Sequence, residues 1–122
     1  MKVVILAGGY GLRFGEETTK LPKPLIKINK IALIEYVMQT YLNSGYNDFI
    51  ICTGYKSEKI SKHFKNNKKF KKIKYKIQII KTGLKTNTGG RIKKISSYLR
   101  KDNSENFFVS YGDCISNVNL RN

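Results

Sequence analysis

The feature that most constrains this chain is a glycine-rich loop set directly behind an apolar strand. Val3-Val4-Ile5-Leu6 is a continuous apolar run, the pattern of a parallel strand covered on both faces, and Ala7-Gly8-Gly9-Tyr10-Gly11-Leu12-Arg13 follows without a break. The glycines therefore fall at the carboxyl edge of a sheet, where α/β proteins bind phosphates. They let backbone amides approach an anion, while Arg13 and then Lys23, held between Pro22 and Pro24, supply positive charge. A tight strand-exit turn beside two solvated cations would use the same residues. Two familiar phosphate loops are excluded by spacing. The last glycine of the run is not followed by Lys-Ser/Thr, and Gly9-Tyr10-Gly11 leads into Phe14-Gly15-Glu16-Glu17-Thr18 rather than completing Gly-x-Gly-x-x-Gly.

Beyond the loop, strand and helix signals alternate. The sequence predicts a strand over 2–7 and an amphipathic helix over 31–43, with Ile34, Val37, Met38, Tyr41 and Leu42 on its apolar side and Gly45 as its stop. A second strand over 48–53 leads to a short helix from Ser57 to Phe64, with Ser57 as N-cap. A third strand over 74–81 enters the Thr82–Gly90 loop, followed by a helix over 90–100 and a last strand over 106–111. Such alternation places the chain in the α/β class, as a Rossmann-like three-layer fold with a mostly parallel sheet and helices on both faces. The glycine loop, the Thr82–Gly90 loop and Gly112-Asp113 would then lie beyond strand carboxyl ends and meet around one ligand.

Composition narrows the class further. The 122 residues suffice for one domain, and no apolar stretch approaches the roughly 18 residues needed to cross a bilayer. Met1-Lys2-Val3-Val4-Ile5 runs straight into the glycine loop, leaving no room for a signal peptide, so the cytoplasm is the expected location and no membrane partner is expected. Cys52 and Cys114 form neither a metal pair nor a disulfide framework; Cys52 reads as a core residue. His63, the single histidine, is assigned no catalytic role. The net charge is +16, carried by 20 lysines and 4 arginines, a skew that looks compositional rather than selected for bidentate recognition. The densest block, Lys62–Lys76, interleaves Phe64, Phe70 and Tyr75 with lysines, a pattern that can bind single-stranded nucleic acid. We read it instead as a solvated connection anchored by its aromatics.

The loop signature is specific when joined to the rest of the chain. Leu6 to Arg13, Glu16-Glu17-Thr18 and Pro22-Lys23-Pro24-Leu25 resemble the signature of sugar-1-phosphate nucleotidyltransferases, most closely the glucose-1-phosphate cytidylyltransferases. The likeness continues in the same order through Asn47 to Lys56, Thr86 to Ile92 and Phe108 to Asn119, so it covers nearly the whole chain. The resemblance implies that Leu6, Ala7, Gly8, Gly9 and Gly11 hold the nucleotide backbone, Arg13 contacts the triphosphate and Lys23 stabilises charge during transfer. It implies further that Thr88 and Gly89 belong to the block contacting the base, and that Asp113 ligates Mg2+. The implied reaction joins CTP and glucose 1-phosphate, giving CDP-glucose and pyrophosphate. Residues 1–122 correspond to the N-terminal nucleotide-binding portion of such a domain, with the sugar-binding half absent. The chain departs from the family's pattern at Leu12, Asn29, Ala32, Cys114 and Asn117, and at Cys114 a backbone with positive φ is expected.

Three functions follow in order of preference: a nucleotidyltransferase, a non-catalytic nucleotide-binding remnant or regulatory subunit, and a basic nucleic-acid-binding module. The expected partners are a nucleoside triphosphate, a sugar 1-phosphate, and either a second copy of the chain or a separate sugar-binding chain, because a short sheet leaves edges uncovered.

Overall fold

The computed structural model describes residues 1–9, 20–72, 76–103 and 105–120. The first strand, β1 (Lys2–Ala7), is followed by a 3-10 turn at Lys23–Leu25, the short strands β2 (Lys27–Ile28) and β3 (Ile31–Ala32), and helix α1 (Leu33–Leu42). Next come β4 (Asp48–Thr53), α2 (Ser57–Asn66), α3 (Lys69–Lys72) and β5 (Lys76–Lys81). The chain closes with α4 (Thr88–Lys94), α5 (Ser96–Leu99) and β6 (Phe107–Tyr111).

Four strands form one sheet in the order β5-β4-β1-β6, and every neighbouring pair is parallel. From β1 the chain builds outward through β4 and β5, then returns to pair β6 with the other side of β1. The direction of winding therefore reverses between β1 and β6, and the crevice beyond their carboxyl ends is where such sheets bind ligands.

Alternation along the central strands divides the core into two layers. Val3, Ile5 and Ala7 of β1 join Phe49 and Ile51 of β4 beneath Ile34, Val37, Met38 and Tyr41 of α1 and Ile60 and Phe64 of α2. Val4, Leu6, Ile50 and Cys52 face the other way, against Ile95, Tyr98 and Leu99. This is the expected three-layer arrangement. Cys52 is fully buried, as its place in the strand implied.

Several boundaries differ from the sequence reading for local reasons. Residues 31–32 do not begin α1, because they pair antiparallel with β2 across the two-residue turn Asn29-Lys30. Both turn residues have positive φ, 51° and 68°, the backbone such tight hairpins require. Ser57 does not cap α2; Lys56 does so in the left-handed region, and the Ser57 hydroxyl pairs with Thr53 Oγ1 at 2.6 Å inside the fold. The predicted 90–100 helix starts earlier, since the Asn87 side chain accepts the Gly90 amide at 2.7 Å and caps a helix beginning at Thr88. It breaks at Ile95, which is fully buried against the sheet. Gly45 ends α1 as expected, with φ 87°. The third strand is described from Lys76, and residues 74–75 of the predicted strand lie outside the described residues.

Candidate functional site

The switch-point crevice gathers three chain segments. The Gly112 amide donates to the Leu6 carbonyl at 3.0 Å, which sets the turn after β6 beside the exit of β1. A Cβ on Gly112 would meet Pro24 at 3.1 Å, a tight approach, and Ala7 at an ordinary 3.5 Å, so glycine eases the close packing of this turn on Pro24. Across the contact, Lys23 Nζ pairs with Asp113 Oδ2 at 2.6 Å. The two side chains are 25% and 22% exposed, so this ion pair remains within reach of a ligand in the crevice.

Leu6 and Ala7 point their side chains into opposite core layers and offer only backbone to the site. Gly8 is buried and Gly9 exposed. Gly11 and Arg13 lie outside the described residues, together with Tyr10, Leu12 and 14–19. Thr88 and Gly89 are exposed in the first turn of α4.

Arg91 ties that turn to the glycine loop. Its guanidinium donates to Gly8 O at 3.1 Å, Gly83 O at 2.9 Å and Thr82 Oγ1 at 2.7 Å, with a longer bond to Thr53 O. The residue is only 6% exposed, whereas a helix-entry turn would ordinarily leave such an arginine in solvent. A Cβ at Gly8 would overlap this guanidinium, so the second position of the loop must be glycine to admit it. Sequence reasoning gave Arg91 no role beyond that of an exposed arginine at a helix-entry turn, and its burial corrects this. The signal available was its identity: a chain with 20 lysines and 4 arginines places one where only a flat fork with five donors can serve several carbonyls at once.

The two cysteines separate by environment. Burial pushes the Cys52 thiol up to about 11, with the nearby Arg91 opposing it, which removes Cys52 as a nucleophile at neutral pH. Cys114 is exposed, and its φ is not positive, contrary to the backbone expected there.

A second charged group lies on the α1–α2 side. Glu35 is nearly buried and accepts the Ala32 amide at 3.2 Å, Lys69 Nζ at 2.7 Å and His63 Nε2 at 3.2 Å. Burial alone would raise the Glu35 carboxyl, but Lys69, the Ala32 amide and His63 outweigh it and hold it below the ordinary value. Burial lowers His63, with Glu35 pulling the other way. His63 is thus a structural partner of Glu35. In the basic block, Phe64 and Phe70 turn inward, 4.8 Å apart and packed on the core.

The comparisons with known proteins agree with this geometry. A family model described as Nucleotidyl transferase matches residues 2–122. The chain is similar to the glucose-1-phosphate cytidylyltransferase of Salmonella typhimurium, at 33% identity over 99% of this chain and 53% of that protein. It is also similar to the D-glycero-alpha-D-manno-heptose 1-phosphate guanylyltransferase of Aneurinibacillus thermoaerophilus, at 35% identity over 99% of this chain and 50% of that protein. Among solved structures, HddC from Yersinia pseudotuberculosis complexed with GMP-PN superposes with a TM-score of 0.83 and 26% identity, over 98% of this chain and 51% of that chain. The chain spans about half the length of the curated relatives it matches.

Proposed function

This chain belongs to the nucleotidyl transferase family, and on that premise we propose that its switch-point crevice is the nucleotide-binding half of a sugar-1-phosphate nucleotidyltransferase site. The observation that carries the reading is the Lys23–Asp113 pair, which sets one cation and one carboxylate against the exit of β1, where the glycine loop begins.

The assigned chemistry is attack of a sugar-1-phosphate oxygen on the α-phosphate of a nucleoside triphosphate. One phosphorus–oxygen bond forms, the bond between the α- and β-phosphates breaks, and pyrophosphate leaves. Such a transfer needs positioning and charge neutralisation rather than a covalent nucleophile. Backbone amides from Gly8 onward orient the phosphates, Arg13 and Lys23 counter their charge, and Thr88 and Gly89 border the base. CTP and glucose 1-phosphate are favoured by the similarity to a cytidylyltransferase, although a guanylyltransferase is comparably similar. The sugar-1-phosphate contacts are assigned to residues beyond 1–122, on the same polypeptide or on a partner.

Magnesium suits the Asp113 carboxylate. Among the described residues no three His, Cys, Asp or Glu side chains gather to hold an ion, but this metal is commonly bound through one or two carboxylates and substrate phosphates. Asp113 would be its protein ligand, and the ion would neutralise phosphate charge.

The test is thermal unfolding with CTP or GTP in the presence of Mg2+, paired with pyrophosphate release on adding glucose 1-phosphate. At about ten times its dissociation constant, a nucleotide stabilises by about 1.4 kcal/mol, several degrees for a chain of this size. A CTP-induced shift that is lost in Lys23→Met supports the site, and no shift at millimolar nucleotide overturns it. A shift without pyrophosphate release selects the non-catalytic reading.

A further inference from the structure

A second concavity, of about 570 Å3, opens between α2 and the segment leading into the β2–β3 hairpin. Its volume falls within the range of small-molecule sites, roughly 300–1,000 Å3. Four lysines line it: Lys59 and Lys62 from α2, Lys68 just beyond, and Lys27 from β2. Lys59, Lys62 and Asn66 stand on one face of α2, at spacings of three, four and seven residues, so their heads converge on the same space.

Among the described residues, no carboxylate lines this cavity and none of the four lysines makes an ion pair. Glu35 lies behind the wall, already engaged by His63 and Lys69. Among the described residues, the result is four point charges without a counter-charge around a concave volume, with Asn66 and Asn67 as neutral hydrogen-bonding groups. One phosphate could not engage all four ammonium groups, carried on α2, just beyond it and on β2, whereas a chain or cluster of phosphates could. A nucleic-acid strand fits less well. Phe64 and Phe70 of this basic block are turned into the core, which removes two of its aromatic faces from base stacking, while Tyr75 lies outside the described residues.

We propose that this basic cavity is a binding site for a small polyphosphate, a free inorganic or organic molecule carrying two or more phosphates, separate from the Lys23–Asp113 crevice. This inference does not depend on the function proposed for that crevice.

The experiment is calorimetric titration of the chain with sodium tripolyphosphate, and separately with inositol trisphosphate, which carries no nucleoside, at about 150 mM salt, where exposed charges are screened beyond roughly 8 Å. The variants are K59Q/K62Q in the cavity, Lys23→Gln in the crevice, and K93Q/K101Q as an equal charge change on the opposite face. Binding should weaken at least about tenfold in K59Q/K62Q and stay within about twofold in the other two. Tighter binding of inositol trisphosphate assigns the site to organic phosphates, and equal or tighter binding of tripolyphosphate assigns it to inorganic ones. Equal losses in both lysine pairs would reduce the effect to diffuse attraction by a +16 chain and overturn the site. The proposal also fails if neither probe binds the wild type, if the loss appears in Lys23→Gln alone, or if an oligothymidylate outcompetes tripolyphosphate for the same lysines.

Discussion

Arg91 converts a loop contact into a measurable quantity. Truncating it to alanine leaves Gly8 O, Gly83 O and Thr82 Oγ1 facing an emptied buried space, and should cost roughly 3 kcal/mol in urea unfolding. Arg91→Lys should recover less than half of that, because an ammonium cannot span carbonyls on two loops. The cysteines give a second reading at this scale: one thiol, Cys114, should react promptly with a disulfide reagent, while Cys52 should react only on unfolding. Two fast thiols in the native chain would contradict the burial of Cys52. The Glu35–His63 contact sets the pH response. His63 is held below its usual 6.5, so its contribution is complete above that pH and is lost as pH falls through the lower folded value. Glu35, also lowered, adds a second loss further down, as pH drops from 4.5 through its own folded value. The melting temperature should therefore fall in two stages from pH 7 downward, and His63→Gln should remove the upper one.

At the scale of elements, the β2–β3 hairpin carries a correctable strain. Lys30 holds φ 68° in a turn whose second position favours glycine, so Lys30→Gly should stabilise by about 0.5–1 kcal/mol in the same unfolding assay. A destabilised variant would show that the lysine side chain contributes more than its backbone costs. This hairpin was invisible in the sequence because two-residue strands carry no period, whereas β1, α1 and β4 were legible from apolar runs and helical spacing long enough to register. Ser57 misled for a related reason: propensity marks it as a cap, but a buried hydroxyl on Thr53 offered a better partner. Lys23 and Asp113 could be named from the sequence as charged residues at loop positions. That they touch could not, since the contact depends on how Gly112 packs on Pro24 and Ala7.

At the scale of the whole molecule, the two helical layers cover the sheet unequally. The α1–α2 side reaches β6 through Phe108, which stacks near Tyr41 and Tyr46, but no residue of β6 joins the layer beneath α4 and α5. Phe107, Val109 and Tyr111 therefore stand 37%, 43% and 52% exposed along one edge strand. Such an edge is open to pairing with a further strand, of the same polypeptide or of another chain. Light scattering should show association that rises with concentration, and Val109→Lys should suppress it; a wild type that stays monomeric throughout would count against this.

The ion pair between Lys23 and Asp113 means that the crevice is never electrically bare. A lone anion could claim the lysine only by stranding the aspartate, and a lone cation the reverse. A visitor bearing both signs, as a metal-chelated nucleotide does, can trade places with the pair and leave neither charge orphaned.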